Sequence, residues 1–92
     1  SHMGRAFYMS RRYEEAVESF TRISAPDHTH HSFLAASCAQ MDDAAAAKRH
    51  AEAVLKQDSA FTVEGYLDTL HYKRESDLDH HREGLLKAGL PA

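Results

Sequence analysis

Tyr13-Glu14-Glu15-Ala16-Val17-Glu18-Ser19-Phe20 carries its apolar residues, Tyr13, Ala16, Val17 and Phe20, at positions i, i+3, i+4 and i+7. That spacing puts the four side chains on one face of an α-helix. Glu14 and Glu15 fall in the first turn, where negative charge suits the helix dipole. Pro26 cannot continue the helix and predicts its stop a little after Ile23. The alanine of this stretch returns downstream. Ala44-Ala45-Ala46-Ala47 aligns with Tyr13-Glu14-Glu15-Ala16, so that Ala47 follows Ala16 by 31 residues.

Working outward, Gly4 to Met9 reads as one or two helical turns ahead of a polar turn, Ser10-Arg11-Arg12. Asp27 is placed to cap a helix over His28 to Met41, with Leu34, Cys38 and Met41 as its buried stripe, aided by Phe33 and Ala35. Asp42-Asp43 breaks the chain and can cap the next helix, Ala44 to Gln57, whose alanines favour helix strongly. Its inner face is Ala47, Ala51, Val54 and Leu55. Ser59 is the expected N-cap of a helix from Ala60 to Tyr72, striped with Val63, Tyr66, Leu67 and Leu70. Ser76 and Asp79 resemble a capping box opening the last helix, with Leu78, Leu85 and Leu86 inward. Lys87-Ala88-Gly89-Leu90-Pro91 is a C-terminal stop signal. No segment reads as a strand, and the short turns predict an all-α array of antiparallel helix-turn-helix units.

The chain has 92 residues, 10.3 kDa, a net charge of −3 and a mean hydropathy of −0.59. One small domain is all this length supports. No apolar run is long enough for a membrane span. The acidic balance disfavours a basic nucleic-acid-binding domain, and Arg11-Arg12 and Lys48-Arg49 are too short to make such a surface. Cys38, the single cysteine, cannot form an internal disulfide. Ser1-His2-Met3 resembles an affinity-tag remnant and is left out of the functional reading. The abrupt start at Gly4 leads us to expect a piece of a longer protein. The expected organisation is residues 1–3 as tag remnant and 4–92 as one helical domain. That domain divides into a truncated repeat (4–26), a full degenerate repeat (27–59) and capping helices (60–92).

These residues resemble the tetratricopeptide repeat, W-x2-L-G-x2-Y…A-x3-F…P, whose period is 34. The first unit offers Gly4, Phe7, Ala16 and Phe20. The second offers Leu34, Ala35, Cys38 and Ala47, with His31, Ala51 and Ser59 where Trp, Phe and Pro are usual. The resemblance implies a right-handed solenoid fragment. The tail, from Phe61-Thr62-Val63-Glu64-Gly65-Tyr66-Leu67 through Tyr72-Lys73-Arg74-Glu75-Ser76-Asp77-Leu78 to Glu83-Gly84-Leu85-Leu86-Lys87-Ala88-Gly89-Leu90-Pro91, adds a second likeness. It is similar to the C-terminal end of bacterial signalling proteins that join class III nucleotide cyclase or winged-helix domains to such repeats. This implies a non-catalytic, cytoplasmic interaction and regulatory module, with no cofactor. A free-standing adaptor of the same repeats and a small histidine-based metal-binding domain are the alternatives.

In this repeat class the first helix of each pair lines a concave surface. The resemblance places Arg5, Tyr8, Met9, Ser32, Ala36, Ala39 and Gln40 there, as a groove for a protein or peptide partner. Phe7, Tyr8 and Met9 form the exposed edge of the array and predict pairing with a second copy, a homo-oligomer. Neither a nucleic-acid nor a membrane partner is expected. His28 and His31 stand at i, i+3, a spacing that could share a metal ion. The plainer reading of the histidines, His80-His81 included, is a set of solvated side chains, with His31 replacing a core aromatic. Cys38 lies in an apolar stripe and reads as a small buried hydrophobe and not a nucleophile. Glu14-Glu15 and Asp42-Asp43 read as caps and solvated faces.

Overall fold

The computed structural model describes residues 2–22, 28–70 and 74–92, without the side chains of His2, Met3 and His28. Its described residues form six helices and no strand: α1 (His2–Met9), α2 (Tyr13–Thr21), α3 (His28–Gln40), α4 (Ala44–Gln57), α5 (Val63–Leu67) and α6 (Glu75–Lys87). The expected stop at Pro26 and cap at Asp27 lie outside the described residues.

The helix faces follow the spacing of the apolar residues. Ala16 and Phe20 of α2 are buried, as are Ala47, Ala51 and Val54 of α4. The central helix differs from its expected stripe. Every residue from Ser32 to Ala39 is buried, so α3 is enclosed on all sides. A helix surrounded in this way needs small side chains where neighbours press close, and Ser32, Ala35, Ala36, Ser37 and Ala39 supply them. Helices α2, α4 and α6 all pack against α3.

The first two hairpins close with the same turn. Arg11 and Asp42, 31 positions apart, hold the left-handed conformation at φ 62° and 60°. Around Arg11, the amides of Ser10, Arg11 and Arg12 donate to the carbonyls of Ala6, Tyr8 and Phe7 at 3.0, 3.0 and 2.8 Å. Around Asp42, those of Met41, Asp42 and Asp43 donate to Ser37, Ala39 and Cys38 at 3.1, 3.0 and 2.9 Å. Each donor and acceptor of the second turn lies 31 residues beyond its counterpart. This is a left-handed C-terminal stop used twice. Ala16 and Ala47, buried alanines 31 residues apart, donate to Arg12 and Asp43 at 3.0 Å in both cases. Asp43 also caps α4 through its side chain, which accepts from Ala46 N at 3.2 Å.

The last third departs from the expected boundaries. The helix foreseen over Ala60 to Tyr72 is the five-residue α5, whose N-cap is Thr62 and not Ser59; Thr62 Oγ1 accepts from Gly65 N at 3.1 Å. Two caps compete within three residues, and the chain takes the one that brings Val63, Tyr66 and Leu67 into the core. Helix α6 starts at Glu75, with no side-chain cap from Arg74, so Ser76 lies within the helix and does not open a capping box. The C-terminal stop forms as the sequence implies. Gly89 takes φ 94°, and Leu90 N donates to Leu85 O at 3.3 Å while Leu90 is buried. Beyond it, the carbonyls of Pro91 and Ala92 accept from Val63 N and Glu64 N at 2.7 and 3.2 Å. The tail thereby satisfies the orphan amides that open α5.

Helix α6 does not continue the succession of neighbouring hairpins. It folds back across α3 and reaches α1, where Tyr8 Oη donates to the carbonyl of His80 at 2.9 Å. The resulting extents, 28 × 28 × 24 Å, are nearly equal in all directions.

Candidate functional site

The face that the sequence offers as a peptide groove is the face on which α6 lies. Tyr8, Ser32 and Ala36 are 0% exposed, so the chain itself covers them, while Ala39, 3% exposed, borders a separate groove described below. Gln40 is half-buried. Arg5 and Met9 keep access to solvent, Arg5 with its guanidinium 5.3 Å from the centre of the Phe33 ring. The physical reason is close packing by α6. A Cβ built on Gly84 would stand 2.4 Å from Tyr8 Oη and 2.9 Å from Ala36 Cβ, so only glycine lets α6 approach this closely. Tyr8 is removed from the expected self-association edge for the same reason. Phe7 and Met9 remain half-buried there, with the Arg12 guanidinium 4.9 Å from the centre of the Phe7 ring.

Two histidines read as solvated are buried at the α6 interface: His80 at 7% exposure and His81 at 0%. The His81 ring stacks on Phe33 at 4.2 Å and meets Tyr66 edge-on at 5.7 Å. Burial, then the Arg5 charge, then His80 push its pKa down to about 3. His80 stacks on Tyr8 at 4.5 Å, and its Nε2 lies 2.7 Å from Tyr13 Oη. Burial and the nearby Arg11 charge lower its pKa as well. The Tyr8 hydroxyl is pushed upward, chiefly by burial. On the α3–α5 side, Ser32 Oγ lies 2.7 Å from the carbonyl of Thr29 and 2.9 Å from the Tyr66 hydroxyl. The cluster is thus a set of neutral rings and hydroxyls that fastens α6 to α1, α3 and α5. The signal for His81 was in the sequence: it stands between Leu78 and Leu85 at i+3 and i+7, on the apolar stripe of α6.

Among the described residues, no group of three or more His, Cys, Asp or Glu side chains could hold a metal ion. The His28 side chain lies outside the described residues. His31 is half-buried with its ring 5.8 Å from that of His50, whose pKa is lowered by burial, then by His31 and Arg49. Cys38 is 3% exposed, and its thiol is pushed up by burial and then by the Asp43 charge. A thiol held protonated in this way is a poor nucleophile.

A groove of about 440 Å³ lies between α4 and the C-terminal end of α6. Ala39, Ala47, Ala51 and Ala88 make its floor, while Asp42, Lys48, Glu52 and Lys87 stand around it. Of these alanines the sequence places only Ala39 on a binding surface; Ala47 and Ala51 read as an inner helix face and Ala88 as part of the C-terminal stop. No family model, curated protein or solved structure matches the chain.

Proposed function

We propose that this chain is a non-catalytic interaction and regulatory module built from tetratricopeptide-like hairpins. The first two hairpins stand as successive units of a right-handed solenoid, and α5 and α6 as its C-terminal cap. The observation that carries this reading is the recurrence of one turn at Arg11 and Asp42, hydrogen bond for hydrogen bond. Units that close alike stack alike, and stacked helical hairpins serve chiefly as binding surfaces. We place the module at the C-terminus of a cytoplasmic bacterial signalling protein, such as a nucleotide cyclase, where it positions the upstream domain or pairs it with a second copy through Phe7 and Met9.

The test compares the parent chain with and without residues 4–92. A change in catalytic rate, partner binding or oligomeric state supports the module. No change in any of the three rejects it. Sedimentation of the 92-residue chain over a concentration series addresses pairing separately, and a monomer at every concentration removes the self-association.

A further inference from the structure

The repeat gives the groove beside α4 a meaning. In the first hairpin, Tyr8 of α1 and Phe20 of α2 grip Phe33 of α3, with ring centres 5.7 and 5.3 Å away. Thirty-one residues later the same positions are Ala39 and Ala51, and both line the groove. The groove is therefore the second hairpin's copy of the surface on which the first hairpin seats α3. The next helix in the chain does not fill it: α5 is five residues long and packs on α6. Two aromatic rings have become two methyl groups, which leaves the seat deeper than its filled counterpart.

We propose that this groove seats an amphipathic helix of another protein, which inserts one large aromatic side chain between Ala39 and Ala51. The filled seat shows the mode, since α3 lies there with Phe33 against both rings and His30 6.0 Å from Phe20. A second copy of this chain is a poor occupant, because the matching helix, α3, is enclosed. The rim carries two cations, Lys48 and Lys87, and two anions, Asp42 and Glu52, with Lys87 Nζ 3.1 Å from Asp42 Oδ1. Such a rim favours a helix of mixed charge over a strongly acidic or basic one. The inference rests on the interaction-module reading and names its docking place.

The probe is a helix-stabilised peptide with the sequence of residues 28–40, the occupant of the filled seat, titrated into 15N-labelled protein. Saturable shifts at Ala39, Ala47, Ala51 and Ala88 are expected, with affinity falling roughly tenfold or more when the peptide's phenylalanine is alanine. In the protein, Ala51→Phe plugs the floor and abolishes these shifts. Ala44→Trp covers the groove from an exposed position and does the same if Ala51→Phe fails to fold. Absent groove shifts, or equal affinity for either peptide or for the plugged protein, overturn the seat. In the parent chain, an effect of residues 4–92 that survives Ala51→Phe and Ala44→Trp overturns the seat and leaves the module standing. Specific peptide binding with no effect of deleting residues 4–92 leaves the seat and rejects the module.

Discussion

His81 shows what a single side chain can set. Buried as a neutral imidazole, it has a folded pKa of about 3 against an ordinary value of 6.5. Below pH 6.5 the unfolded chain therefore binds a proton that the folded chain refuses, and stability falls with pH until about 3. Between pH 7 and pH 5 this group alone should remove about 2 kcal/mol of stability. His81→Phe keeps the ring on Phe33 and cannot take up the proton. Urea unfolding at the two pH values should show the wild-type loss shrink by that amount in the variant. An unchanged pH dependence would mean that His81 is not the group responsible. Gly84 acts at the same scale through absence. Gly84→Ala gains up to about 1 kcal/mol of helix propensity. Its methyl group, however, meets Tyr8 Oη and Ala36. Overpacking of this kind costs about 1–3 kcal/mol. The net expectation is a lower unfolding midpoint, with the α6 amides exchanging faster than those of α4.

At the scale of elements, the paired turns are open to a direct test. Arg11 and Asp42 hold a left-handed conformation that a Cβ disfavours. Arg11→Gly should relieve this strain and stabilise the protein by about 1 kcal/mol. Asp42→Gly should gain less, because it also removes the ion pair with Lys87, an exposed contact worth less than about 1 kcal/mol. Thermal unfolding of the two variants side by side measures both the gain and its order. A loss of stability in either would contradict the turn geometry. The turns also show why the repeat was only half legible. Ser-Arg-Arg and Met-Asp-Asp share no residue, so their common conformation leaves no mark in the sequence. The alignment rested on the buried alanines instead, because close helix approach restricts residue size while a turn's backbone tolerates many residue types.

For the molecule as a whole, α6 turns an open array into a closed body. The faces of α1 and α3 beneath it include Tyr8, Phe33 and Ala36, all 0% exposed. A chain ending before Glu75 would uncover them and also lose Leu85 and Leu90 from the core. Deleting residues 75–92 should therefore abolish cooperative thermal unfolding and expose dye-binding apolar surface. A truncated chain that still melts in one sharp transition would show α1–α5 to be self-sufficient.

The sequence by itself determined the helical character of the chain, four of its helices to within a residue or two where they are described, the buried alanines at their 31-residue spacing, and the glycine stop before the tail. Each is a local property, fixed by propensity, by spacing on one face, or by the need for a left-handed residue. Only the tertiary structure decided where α6 lies. That choice turned the expected groove at Tyr8, Ser32 and Ala36 into core, buried His80 and His81, and left the α4 surface open beside Ala39. An apolar stripe states that a helix must be covered; which neighbour covers it depends on the close fit of Gly84 against Tyr8 and Ala36, between residues far apart in the chain.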